Sequence, residues 1–165
     1  QCDIFIIMPL IKTECVIYAP LEVCFDLSRS IDVHQISTEG TNERAIAGKT
    51  TGLIELGETV TWRAKHFGIY QKLTSKITEY KRPYHFTDEM ISGTFKSIRH
   101  DHYFEYEHGF TLMKDEFQFK SPLGFLGNIF NSLILTDYMK KFIVKRNEVI
   151  KQLAESDAYR KFIDK

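Results

Sequence analysis

The sequence predicts an α+β fold: a curved antiparallel sheet of about seven strands gripping one long C-terminal helix. Three observations predict it. Six runs between residues 43 and 120 have strand character, several alternating apolar and polar residues, with Gly-containing turn signals between the last of them. From residue 135 the period changes, and apolar residues recur every three to four positions. Ahead of the six runs stand one further strand and two short helical patterns.

The elements follow in order. "PLIKTECVIY" alternates and then turns continuously apolar, which predicts a strand over about 9–18. In "APLEVCFDLSRS", Pro20 suits a first helical turn, and Leu21, Cys24, Phe25 and Ser28 fall at helical spacing, giving a short helix over about 20–28. "IDVHQIST" reads as a second short helix or turn, and "ERAIAG" as a short strand. "GKTTGLIELGET", with its three glycines, reads as a loop or irregular crossing. "TVTWRAKHFG" sets Val60, Trp62, Ala64 and His66 against Thr61, Arg63 and Lys65. "QKLTSKITEY" and "YHFTDEMI" follow, and Ser92-Gly93 is a turn signal. "FKSIRHDHYFEY" and "FTLMKDEFQFK" flank Glu107-His108-Gly109, which predicts a hairpin. Leu135, Met139, Phe142, Ile143, Arg146, Val149, Ile150 and Leu153 share one stripe of a long helix over about 135–154.

Length and composition bound the function. The 165 residues are most simply one domain over 8–165, with residues 1–7 either an upstream extension or an expression remnant. Acidic and basic residues number 22 each, so no basic field exists to hold nucleic acid or an anionic membrane. Phe5-Ile6-Ile7 is too short to span a bilayer and lacks the basic flank of a signal peptide. The three cysteines, Cys2, Cys15 and Cys24, include no C-x-x-C pair, which argues against a disulfide framework or zinc knuckle and for a reducing cytoplasm. Thirteen Phe and eight Tyr imply a bulky core or an aromatic-lined cavity. Phosphate-loop, dinucleotide and nucleophile-elbow motifs are absent from the sequence. Glu14, Asp26 and Asp32 read as solvated faces and caps.

The stretch "FKSIRHDHYFEY" carries the chemistry. Side chains alternate along a strand, so Ile98, His100, His102, Phe104 and Tyr106 share one face, and Arg99, Asp101, Tyr103 and Glu105 the other. The first face is more apolar and should look toward the long helix, with Asp101 in water. A hairpin loop over 107–110 sets Tyr106 opposite Thr111, Phe104 opposite Met113, His102 opposite Asp115 and His100 opposite Phe117. Directly opposed Cβ atoms lie about 4.5–5.5 Å apart, so His102 can donate to the inward Asp115 carboxylate. That pair is read either as a buried, register-fixing contact or as a polar point that orients a ligand or moves a proton. A metal held by His100 and His102 with Asp115 is weighed and set aside, and two hydrogen-bonded buried histidines are expected instead. A three-residue turn at 92–94 would set Phe86 opposite His100 and Asp88 opposite Ile98; His66 and Asp88 are further inward polar candidates.

Four stretches, "YAPLEVCFDLSRSIDVH" (18–34), "GETVTWRAKHFG" (57–68), "FTDEMISGTFKSIRHDHYFE" (86–105) and "FTLMKDEFQFKSPLGFLG" (110–127), resemble the START-like helix-grip superfamily, also called SRPBCC, and within it an uncharacterised bacterial, cyclase-like branch. The H-x-H-x-F element followed by T-x-M-x-D and S-P-L-G carries most of the likeness. The resemblance implies a hollow between sheet and helix holding an apolar or amphipathic small molecule such as a lipid, isoprenoid or polyketide. Trp62, His66, Phe86, Asp88, His100, His102, Phe104, Met113, Asp115, Phe117 and Phe130 are its expected lining. No cofactor or metal is expected, and a carrier or sensor is favoured. An acid–base enzyme of the cyclase, dehydratase or isomerase kind using His102 with Asp115, and a surface interaction module of the cell envelope or division apparatus, stay open as alternatives. Finally, Ile129, Phe130, Leu133 and Ile134 point opposite to the main helical stripe, so 123–134 is expected to form an apolar flap, touching a membrane or protein transiently, or else a kinked, packed helix.

Overall fold

The structure, a computed structural model, describes residues 9–120 and 134–163. Strand β1 (Leu10–Ile17) leads into helices α1 (Leu21–Ser28) and α2 (Ile31–Ser37). Six strands follow: β2 (Arg44–Gly48), β3 (Thr59–His66), β4 (Ile69–Lys81), β5 (His85–Gly93), β6 (Ser97–Glu107) and β7 (Phe110–Lys120). The long helix α3 (Thr136–Ala154) and a short α4 (Arg160–Ile163) close the order. The sheet runs β1-β7-β6-β5-β4-β3-β2, and every pairing is antiparallel. This is the α+β architecture expected from the periodicities, with the short α4 added to it.

Local chemistry accounts for the elements. Pro20 sits at the N-cap of α1, in extended geometry one residue before the helix. Ser30 caps α2 with its side chain, accepting from the Val33 amide at 3.3 Å. Helix α1 is buried almost all round, from Leu21 to Ser28, because sheet, α3 and α4 surround it. Register irregularities between Ala45 and Ala47, and at two points of the β4–β5 pairing, mark bulges of the kind that bend and twist a sheet.

Two apolar clusters fill the concave side. The larger packs α1 and α2 against Trp62, Phe86, Phe104 and Met113. The smaller joins Ile11, Ile98, Phe117 and Phe119 to Leu135, at the N-cap of α3, and to Ile143 within it. Ile134 is exposed whereas Leu135 is buried. These are the last residue of the expected apolar flap and the first of the main stripe; residues 123–133, Phe130 among them, lie outside the described residues, as do residues 1–8. Among the described residues no helix is long and apolar enough to cross a membrane.

Gly48 ends β2 with φ +72°, and a Cβ there would lie 2.2 Å from the Thr59 carbonyl oxygen. Positive φ and a backbone clash both oppose a side chain. Gly48→Ala should therefore cost more than about 1 kcal/mol, read as a lower urea midpoint at unchanged m-value. A neutral substitution would mean that the β2 edge adjusts freely.

Candidate functional site

The β6–β7 hairpin has the expected register: Tyr106 pairs with Thr111, Phe104 with Met113, His102 with Asp115 and His100 with Phe117. The β5–β6 register differs from expectation. Phe86 pairs with His102 and Asp88 with His100, rather than Phe86 with His100 and Asp88 with Ile98. The pairing is centred on Thr94 rather than Gly93, and it stops at Glu89 with Arg99, so 90–98 lies outside the β5–β6 ladder. A slip of two residues keeps every side chain on its face. It moves Asp88 directly beside the histidines.

Asp115 is the hub of a buried polar network. His100 Nε2 and His102 Nδ1 each lie 2.9 Å from its Oδ1. Its Oδ2 accepts from Asn147 Nδ2 at 2.6 Å and from Thr13 Oγ1 at 3.2 Å. Arg146 Nη1 stands 3.8 Å from Oδ1, while Arg146 Nη2 donates to the Ser28 carbonyl at 2.7 Å. The network thus ties β1, α1, β6, β7 and α3 together. The His102 Nδ1 contact is short but not a directed hydrogen bond, because the N–H points off the oxygen. On its other side, His102 Nε2 lies 3.1 Å from Asp88 Oδ2.

Electrostatics follow from these contacts. Burial pushes the Asp115 carboxyl up, but the His100 and His102 rings against it outweigh this and hold the group well below the usual carboxylate range. Burial pushes His102 down, and the close carboxylates of Asp115 and Asp88 more than reverse this, so it ends above its ordinary value. His100 goes the other way, lowered by burial and by the neighbouring His102. Asp88 ends below its ordinary value, its burial offset first by the bond from His102. Two carboxylates therefore share this buried site with one guanidinium and two imidazoles, opposite charges that offset one another's desolvation.

Beside this network lies a cavity of about 320 Å³ between sheet and α3. Of the expected lining, Trp62, His66, Phe86, Asp88, His100, His102 and Phe117 face it. Phe104, Met113 and Asp115 do not. Phe104 packs edge-on to Phe25, Met113 meets the Ser28 hydroxyl, and Asp115, 1% exposed, sits behind the histidines. All three share the inward face with the wall residues, but α1 and α3 cover their stretch of sheet.

Sequence reasoning missed several polar residues of the wall. Arg146 interrupts the apolar stripe of α3, and a charge inside such a stripe was the available signal. Its neighbour Asn147, which holds Asp115 behind the wall, gave no such sign. His34 from α2 stacks on Trp62 at 4.2 Å between centroids, and its Nε2 lies 3.3 Å from Glu43 Oε2. Glu43 is raised by burial and lowered further by His34, ending below its ordinary value. His66 Nδ1 is 2.7 Å from the Tyr138 hydroxyl, joining β3 to the first turn of α3. Burial depresses His66, partly offset by Glu43.

Two further expectations need correction. Asp101 is on the convex face but is not in water. Arg99 covers it with two 2.8 Å bonds, and Thr87 donates at 2.7 Å. Asp26 is no solvated cap: buried on α1, it accepts from Arg29 at 2.8 Å and from Arg82 at 2.6 Å. A long Arg side chain can bury a carboxylate that would otherwise lie at the surface.

Neither a family model nor a curated protein matches this chain. Solved structures do. The Thermus thermophilus protein TTHA0849 is 15% identical, with a TM-score of 0.69, over 90% of this chain and 100% of that one. Ginseng major latex-like protein 151 from Panax ginseng is 14% identical, with a TM-score of 0.66, over 90% and 99%. Protein CV1439 from Chromobacterium violaceum is 10% identical, with a TM-score of 0.66, over 90% and 98%. At such identities the likeness is one of fold.

Proposed function

We propose that this chain, whose fold is the helix grip shared with major latex-like proteins and their bacterial structural counterparts, binds an apolar or amphipathic small molecule in its cavity as a carrier or sensor in a reducing cytoplasm. The observation that carries the reading is the cavity itself. It is of ligand size, walled mainly by apolar and aromatic side chains, with a few convergent polar groups. Among its polar points are two separated groups, His34, Glu43 and His66 near β3 and Asp88, His100 and His102 on β5 and β6. Strands β3 and β6 are three spacings apart in the sheet, about 14 Å. A molecule with an apolar body and polar groups at separated positions suits that wall. The helix-grip resemblance implies the same use of the hollow.

The acid–base reading of His102 with Asp115 draws less support. Asp115 lies behind the cavity wall and is occupied by several donors, which makes it a poor base.

Trp62, the only tryptophan, stands in the wall and reports occupancy. Titration with 8-anilinonaphthalene-1-sulfonate should quench Trp62 emission saturably, with one dye per chain. Ala64→Phe, which fills space in the same wall, should weaken the dye at least tenfold while circular dichroism stays unchanged. Native mass spectrometry of protein purified from its own host should find a co-purified lipid or isoprenoid. Empty protein together with no saturable dye binding would overturn the reading and favour a surface interaction module.

A further inference from the structure

We propose that Asp88, His100 and His102 form a binding site for one divalent transition-metal ion of the zinc, iron or cobalt class on the cavity wall. The site goes beyond the apolar-ligand reading and does not depend on it. Its basis is the β5–β6 register. Asp88 pairs directly with His100, and His102 lies two residues further along the same strand and face. One ligand atom from each of the three falls within 4.8 Å of the other two. His102 Nε2 and Asp88 Oδ2 are already 3.1 Å apart. The edge of a tetrahedron with metal–ligand bonds near 2.1 Å is about 3.4 Å, so no pair of the three needs to close by more than about 1.4 Å.

The outer contacts strengthen the case. A metal-bound histidine characteristically gives its other ring nitrogen to a carboxylate, which fixes tautomer and ring orientation. Asp115 occupies that position for both rings: His100 Nε2 and His102 Nδ1 each stand 2.9 Å from the same Oδ1. This leaves His100 Nδ1 and His102 Nε2 for an ion. The misaligned, buried Nδ1–H of His102 gains its partner once coordination at Nε2 sets the ring. Asn147 and Thr13 in turn hold Asp115. Two imidazoles and one carboxylate suit zinc or ferrous iron rather than calcium or magnesium, which prefer all-oxygen shells. All three side chains line the cavity, so the remaining coordination positions face it and would accept water or a polar group of a cavity ligand.

The test uses untagged full-length protein stripped with a chelator and titrated with cobalt(II) alone. The expected result is one cobalt per chain, with visible absorption of a four- or five-coordinate N/O site that zinc abolishes by competition. Asp88→Asn, isosteric and partly open to the cavity, should weaken cobalt at least tenfold, and His100→Gln should do the same, in protein whose circular dichroism and urea midpoint show it folded. If either variant fails to fold, the other and the wild-type stoichiometry decide. Absence of stoichiometric cobalt or zinc binding by the wild type overturns the proposal. So does binding that survives both substitutions, since His34, His66, His85 and His108 would then be the source. Dye binding in the same preparation reads the cavity separately, so failure of the metal site and failure of the apolar-ligand reading remain distinct.

Discussion

Asp115→Ala should destabilise the protein by about 3–5 kcal/mol, the cost of removing one partner from a buried charge network. The carboxylate is 1% exposed and meets His100, His102, Asn147, Thr13 and, at longer range, Arg146. Its loss leaves the Arg146 guanidinium and the His100 and His102 rings without the carboxylate they converge on. Equilibrium urea unfolding in chelator, so that metal contributes nothing, measures the effect. A cost under about 1 kcal/mol would mean that water enters and solvates these groups, and that the network does not anchor the fold. Acid adds a second signature. The native Asp115 carboxyl is held well below its ordinary value, so its stabilisation is fully present above the unfolded pKa near 4. It is lost as pH falls through the lower native pKa. The variant should lack that part of the acid limb and converge on the wild type in strong acid.

Phe25→Ala should cost about 3–5 kcal/mol for a different reason, the cavity left beneath α1. Phe25 is 0% exposed, and its ring meets Tyr80, Phe86 and Phe104 edge-on at 5.5, 5.4 and 5.4 Å. Three edge-to-face partners at once leave little room for collapse. Phe86 also stacks on His102 at 4.2 Å, so the loosened core should reach the cavity wall. Urea unfolding gives the cost, and dye affinity at Trp62 reads the propagated disorder. A loss below about 1 kcal/mol would show that α1 settles into the space, and the core would be softer than its contacts imply.

How legible all this was depends on the range of each interaction. The order of elements follows from local periodicity, and the β6–β7 register follows from a turn next to the paired residues. The β5–β6 register does not, because both sides of its longer connection alternate equally well, and two registers differing by two residues bury the same faces. That ambiguity hid Asp88 from the histidines, so that only Asp115 stood as a possible third ligand in the metal reading that was set aside. His34 and Glu43 are only nine residues apart, but they meet because the turn after α2 folds the start of β2 back against the helix, and neither helical nor strand periodicity registers such a turn. The burial of Asp101 and Asp26 depends on which arginine folds over each carboxylate, a choice made by tertiary neighbours. Phe104 and Met113 fall on the face that alternation assigns them, but whether a helix or a hollow covers that face is not written in a strand pattern.

Strand β1 has its sheet partner in β7, and Thr13 meets Asp115 across 102 residues of chain. Proteins dominated by such distant pairings fold slowly, since a long loop must close before the contact returns anything. During synthesis at about 5–20 residues per second, β1 waits roughly 5–20 s after leaving the ribosome before its partner strand exists. Throughout that interval the apolar side chains Ile11, Val16 and Ile17 are exposed next to an unpaired backbone edge. The nascent chain is therefore most prone to self-association, and most in need of a chaperone, at its first strand rather than in the six-strand meander that follows.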